Sequence, residues 1–184
     1  MCIDKTKIEG QVFTPVGIVS MILDSAKYTG KAVLTKTIME PSFGKGAFLI
    51  EIVSRIIHEG KSEGKSAEEI RDIIQSHVYG IEKDKELYDE AIQKLNELLI
   101  AHDIPLPSWS DLRCGDALFL YQDYIGKIDI CSGNPPYINA HNLSTAYRNV
   151  VKNFQFADGT TDLYIVFYEI GIQMLKEGSG RLAY

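Results

Sequence analysis

The run Lys127-Ile128-Asp129-Ile130-Cys131-Ser132-Gly133-Asn134-Pro135-Pro136-Tyr137 joins an apolar strand to an unusually stiff loop. Ile128, Ile130 and Cys131 suit a buried strand bounded by turn residues. Each proline has a fixed φ and no N–H to donate, so the loop's carbonyls stay open as acceptors. An amide at Asn134, free carbonyls and the ring of Tyr137 suit one task. They hold a planar amino group while the ring stacks on whatever carries it. The plain alternative is a rigid turn with a surface tyrosine.

Outward from this run, strands alternate with helices. Thr14 as N-cap and Pro15 at the first helical position predict a helix carrying Val16, Val19, Ile22, Leu23 and Ala26 and ending at Gly30. The β-branched stretch from Ala32 to Met39 reads as a strand. A helix follows, with Phe48, Leu49, Ile52, Val53, Ile56 and Ile57 at helical spacing and Gly60 as C-cap. Ser66 and Glu69 form a capping box for a short helix, and Val78–Glu82 is a brief strand. Asp84 caps a helix striped by Leu87, Ala91, Leu95, Leu98 and Leu99. Leu112–Cys114 and Ile128–Cys131 read as strands, 138–160 as a long loop, and Asp162 as the cap of a last helix. Such alternation implies crossover connections, hence an α/β fold with a doubly wound, mostly parallel sheet. The count gives about five strands, the last breaking off at Arg181–Tyr184 as though the chain were the N-terminal part of something longer.

The 184 residues suffice for one domain with a core, 1–184. No apolar stretch is long enough to span a bilayer, and the N-terminus lacks a signal peptide's apolar centre. Cys2, Cys114 and Cys131 show no metal spacing; Cys114 and Cys131 read as buried free thiols of a cytoplasmic protein. No metal is expected. The net charge of −6 argues against a self-sufficient nucleic-acid binder, which carries a basic face.

In a doubly wound sheet, ligands bind beyond the carboxyl ends of the strands. Four loops fall there. Glu40 to Gly46 is a strand-to-helix turn with Gly44 and Gly46; its acidic residue suits an amino-bearing ligand rather than a phosphate. Glu82, at the end of its strand, can accept ribose hydroxyls. Asp116, beside the small Ala117, can accept from the exocyclic amine of a purine. The Asn134–Tyr137 loop is the fourth. Each of the first three also has a bland reading as a turn or a solvated strand end.

Taken together these residues resemble the S-adenosylmethionine-dependent amino-methyltransferases, specifically gamma-class DNA adenine-N6 enzymes of restriction–modification systems, whose cofactor-binding fold is Rossmann-like. Gln11-Val12-Phe13-Thr14-Pro15 resembles the N-terminal cofactor motif, so residues 1–30 form a helical segment contributing to the cofactor pocket. Glu40-Pro41-Ser42-Phe43-Gly44-Lys45-Gly46-Ala47-Phe48-Leu49 resembles the glycine motif, and Ser132–Tyr137 the catalytic one. The resemblance implies S-adenosylmethionine as cofactor, held by Phe13, Thr14, Glu40, Pro41, Ser42, Gly44, Gly46, Phe48, Glu82, Asp116, Ala117 and Asn134. It implies catalysis by Asn134, Pro135, Pro136 and Tyr137 on an adenine flipped from double-stranded DNA. Phe43 and Lys45 depart from the family's small residues and bear on the detail of the turn. A target-recognition domain, which in the family carries most DNA contacts, is absent from these residues, and a restriction subunit or fused nuclease is a possible partner.

Two rivals follow from the same residues. Glutamine N5 protein methyltransferases share the Asn-Pro-Pro-Tyr loop, but tend to carry a helical domain ahead of the cofactor fold; cytosine-N4 and RNA substrates remain open too. The other is a non-catalytic cofactor-binding module of a restriction complex.

Overall fold

The computed structural model describes residues 14–139, 142–157 and 162–184. The expectations at Phe13 and across 1–12 lie outside the described residues. Helix α1 (Val16–Ser25) leads through a 3-10 turn (Gly30–Leu34) to strand β1 (Ile38–Glu40). Helices α2 (Ala47–Ser62) and α3 (Ala67–His77) precede β2 (Val78–Glu82). Then come α4 (Lys85–Ala101), β3 (Leu112–Cys114), the short α5 (Ala117–Leu120) and β4 (Ile130–Ser132). Helix α6 (Thr145–Val151), α7 (Leu163–Met174) and β5 (Arg181–Ala183) complete the described chain.

The five strands pair in the order β3-β2-β1-β4-β5, every pairing parallel. The chain thus winds outward from β1 to β3 and then reverses to β4 and β5, which puts the topological switch point between β1 and β4. Strand side chains alternate between faces. Ile38 and Ile130 enter the core with Leu49, Ile52, Ile56 and Leu95. Met39 and Cys131 enter a second core with Leu118, Val166, Ile170 and Met174 on the other face. Helices therefore cover both sides of the sheet, as continuous apolar parallel strands require.

Several sequence expectations shift. Helix α1 starts one residue later than its apparent cap: Pro15 holds the N-cap position with no side-chain hydrogen bond, and Thr14 lies outside the helix. The 32–39 strand shrinks to Ile38–Glu40, because Val33 and Leu34 are buried in a 3-10 turn against α2. A β-branched run reports burial as readily as strand pairing. Gly60 lies within α2, where a Cβ would come 2.7 Å from Ile70 Cγ1, so it admits α3 instead of ending the helix. The 138–160 loop contains α6, capped by Ser144, whose hydroxyl accepts the Tyr147 N–H. Cys131 is buried as expected, and burial pushes its thiol up to about 12. Cys114, by contrast, is exposed at the end of edge strand β3. The capping box of Ser66 and Glu69 and the Asp84 cap form as read. No helix among the described residues is long and apolar enough to cross a membrane.

The amino end of the sheet is pinned by Asp129. Its Oδ2 accepts from the Thr37 N–H (3.0 Å), the Thr37 hydroxyl (2.9 Å) and Lys176 (2.7 Å), and its Oδ1 from Lys36 (3.2 Å). Burial alone would raise this carboxyl, but those donors outweigh it and hold it well below the usual carboxylate range. A depressed acid contributes stability that is present at neutral pH and is lost as the pH falls through the carboxylate range. Asp129→Ala is expected to cost about 2–4 kcal/mol at pH 7 and to cost less at pH 3. Urea unfolding at the two pH values reads this directly.

Candidate active site

The glycine turn is built by its backbone. Gly44 and Gly46 have φ of 51° and 81°, left-handed values that side-chain-bearing residues adopt at a cost. Gly46 N–H closes the turn onto Phe43 C=O at 2.7 Å and Phe43 N–H reaches Ile81 C=O at 3.2 Å. Phe43, one of the two departures from the family's pattern, turns its ring into the core, 5.8 Å from the ring of Tyr88. Gly80 makes its room: a Cβ there would sit 2.8 Å from Phe43 Cδ1. Lys45, the other departure, points away to Glu90 at 3.1 Å. Phe48 is likewise a core residue beneath the turn.

A cavity of about 510 Å³ opens at the carboxyl ends of the strands. Its walls come from all four expected loops: Pro41 and Ser42 after β1, Glu82 at the end of β2, Asp116 and Ala117 after β3, and Pro136 after β4. Leu163 and Phe167 of α7 add an apolar wall, and Asn142, Leu143, Ser144 and Tyr147 close the outer side. Phe167, Lys83 and Tyr147 were not singled out from sequence. Phe167 stands on the apolar face of α7, a helical period that says core rather than cavity.

Glu82 Oε2 accepts the Gly44 N–H at 2.7 Å and Oε1 the Asp84 N–H at 2.8 Å, which ties the glycine turn to the end of β2. Burial raises its carboxyl above the ordinary value, against the pull of those N–H groups. Each oxygen retains acceptor capacity toward the cavity it lines. Asp116 caps α5 through Oδ1, which accepts from Leu118 N–H at 3.0 Å.

Glu40 and Asn134 do not line this cavity; they stand next along the chain, at the switch point. Glu40 is 3% exposed, and its Oε2 has no hydrogen-bond partner. Burial, then the charge of Glu82, push its carboxyl well above the usual range, opposed by the Leu49 N–H in the first turn of α2. Glu40 shares a sheet face with Ile38, and Ser132 with Ile130, so both project toward the same side. Ser132 Oγ is likewise buried without a partner. The two close the bottom of the switch point, where a Cβ on Gly133 would come 3.2 Å from Glu40 Cγ. An orphaned carboxyl oxygen is costly unless something satisfies it. This chemistry fits a ligand bearing an ammonium group next to a nucleoside, whose ribose and purine would meet Glu82 and Asp116.

The Asn134 loop is held on several sides. Asn134 Nδ2 donates to Thr14 Oγ1 at 3.1 Å, so the displaced Thr14 orients the amide. Gly133 N–H reaches Ala183 C=O at 3.3 Å, and Ile138 C=O accepts from Leu163 N–H at 2.8 Å. Asn139 Nδ2 donates to Asp162 Oδ1 at 2.8 Å, which diverts Asp162 from the side-chain cap expected of it. Pro135 is buried, while Tyr137 is 53% exposed with its ring centroid 5.7 Å from that of Tyr164. The Thr14 contact helps set the direction of the Asn134 amide, whose carbonyl oxygen carries two acceptor lone pairs.

The parallel sheet with helices on both faces is a Rossmann-like fold, shared with solved structures of restriction-enzyme modification proteins. The M protein of the type I restriction enzyme EcoKI superposes with a TM-score of 0.68 at 20% identity, covering 95% of this chain and 33% of that one. Residues 45–184 match the family described as Eco57I restriction-modification methylase, and the chain belongs to that family. Among curated relatives, Type II methyltransferase M.PaeR7I of Pseudomonas aeruginosa is 30% identical over 178 residues, covering 92% of this chain and 30% of its own length. Type II methyltransferase M.BstVI of Geobacillus stearothermophilus is 28% identical over 183 residues, covering 93% and 32%. The chain thus spans about a third of the length of these relatives.

Proposed function

We propose that these residues form the cofactor-binding and catalytic part of a restriction–modification DNA methyltransferase. The reaction moves a methyl group from S-adenosylmethionine to the exocyclic N6 amine of an adenine flipped out of duplex DNA. The observation that carries this reading is the clamped Asn134 loop at the switch point, beside an orphaned Glu40 oxygen and a cavity lined by Glu82 and Asp116. Glu40 pairs with the cofactor's ammonium, Glu82 accepts from its ribose, and Asp116 from its purine amine. Phe167 and Leu163 offer the purine an apolar face. S-adenosylmethionine supplies an electrophilic methyl on a sulfonium.

The amine of adenine is a weak nucleophile because its lone pair is delocalised into the ring. The Asn134 side-chain carbonyl and the Pro135 main-chain carbonyl accept its two N–H bonds and draw the nitrogen toward tetrahedral geometry. Both acceptors strengthen as positive charge grows on nitrogen, so they favour the transition state over the ground state. In the transfer, the C–N bond would form as the C–S bond breaks, S-adenosylhomocysteine would leave as a neutral thioether, and the methylated nitrogen would give its extra N–H proton to water. Tyr137, already exposed, stacks on the extruded base, an interaction worth about 1–3 kcal/mol. Sequence-specific DNA contacts come from a target-recognition domain beyond these 184 residues, in keeping with the net charge of −6. Membership of a restriction-modification family favours DNA over the glutamine side chains of the rival reading.

The test is transfer of a labelled methyl from S-adenosylmethionine to duplex DNA and, in parallel, to a protein extract. Label recovered as N6-methyladenine after nuclease digestion is the expected result. Label confined to protein, or to cytosine, overturns the assignment.

A further inference from the structure

The carboxylate assigned to the purine amine is already engaged. Asp116 Oδ2 accepts from the Tyr147 hydroxyl at 2.6 Å and from Lys83 Nζ at 3.1 Å, while Oδ1 accepts from Leu118 N–H. Lys83 Nζ also stands 4.4 Å from the centre of the Tyr147 ring. All three side chains line the cavity. We propose that Tyr147 and Lys83 are positioning residues that fix Asp116 for the exocyclic amino group of the purine, and so set the preference for an amino-bearing purine. The proposal rests on the reading of this cavity as the cofactor's purine site.

Three physical points support it. A carboxylate offers about four acceptor directions, and three donors here leave one on Oδ1. A group held from both oxygens cannot rotate, so its last acceptor has one direction, which is what discrimination by hydrogen bonding needs. The Lys83 ammonium offsets the carboxylate charge, so the remaining acceptor suits a neutral N–H donor rather than a second cation. The Tyr147 hydroxyl stays protonated and donating, since burial, then the adjacent carboxylate, raise it far above the ordinary phenol value. Ser144, which caps α6 at the Tyr147 N–H and also lines the cavity, sets where that ring enters. A rival role is purely mechanical: Tyr147 would only pin the outer wall in place.

Calorimetric titration of the whole chain separates these roles. The ligands are S-adenosylhomocysteine and its analogue with hydrogen in place of the purine amino group. Wild type is expected to prefer the amino ligand. Tyr147→Phe is expected to weaken the amino ligand about tenfold and the deaminated one less than twofold. Lys83→Met, at a largely exposed side chain, should move the same ratio in the same direction by about threefold; it stands in should Tyr147→Phe fail to fold. Equal weakening of both ligands, or unchanged affinities, overturns the proposal while leaving the purine site intact. Binding of neither ligand by folded wild type overturns both the proposal and the cofactor reading beneath it.

Discussion

Under the proposed mechanism, Asn134→Ala is expected to lower the rate of methyl transfer by about 10²–10³-fold while binding of S-adenosylhomocysteine stays within a few fold of wild type. The asymmetry follows from what the amide does. Its carbonyl holds the substrate nitrogen rather than the cofactor, and holds it more strongly as that nitrogen gains charge, so its loss falls on the rate and not on the affinity for S-adenosylhomocysteine. Thr14 provides an internal check. Because its hydroxyl accepts from Asn134 Nδ2, Thr14→Val removes one restraint on the amide and should give a smaller rate loss of the same kind. Single-turnover transfer to duplex DNA, set against calorimetric affinity, reads both. A folded Asn134→Ala protein that kept the wild-type rate would remove the proposed chemistry.

The second large effect belongs to Glu40. Glu40→Gln keeps the shape of the side chain but cannot carry the charge that an ammonium requires, and is expected to weaken S-adenosylmethionine by about 10–100-fold. The same variant changes stability in a distinctive way. Burial, then the neighbouring Glu82, raise the Glu40 carboxyl well above its unfolded value. The folded state therefore prefers the protonated form. Stability is greatest below the ordinary carboxylate range and declines as pH rises toward the folded value. In Glu40→Gln that part of the decline disappears. Binding an ammonium beside Glu40 favours its ionised form, so cofactor uptake should release a proton from the wild type and not from the variant. Calorimetry in buffers of different ionisation enthalpy measures that release. Uptake without proton release, at a pH between the ordinary carboxylate value and the raised one, would place the ammonium elsewhere.

Much of this architecture was readable in the residues. The caps at Ser66 and Asp84, the apolar stripe of α2, the brief strand ending in Glu82 and the Asn-Pro-Pro-Tyr loop all carry local chemistry that tertiary packing did not override. What failed to show was set by contacts distant in sequence. Val33 and Leu34 have strand-forming side chains, yet α2 packs on them as a 3-10 turn. Helix α6 spans seven residues and fully buries only Val151, too little for a helical period to register. In consequence Tyr147, the closest donor to Asp116, was invisible inside what read as a loop. Thr14 offered a cap-like signal whose hydroxyl serves Asn134 instead. The clamped loop illustrates the same limit: two prolines announce stiffness, but not the Ile138–Leu163 and Asn139–Asp162 bonds that aim it.

The most direct test is a crystal structure of the chain with S-adenosylhomocysteine. The expected result places the purine amine within hydrogen-bond distance of Asp116, the ribose hydroxyls on Glu82, the ammonium on Glu40 and the sulfur facing the Asn134 amide. A ligand bound away from the switch point, or an Asn134 amide turned from the sulfur with the cofactor in place, would contradict a methyl-transfer site at this edge of the sheet.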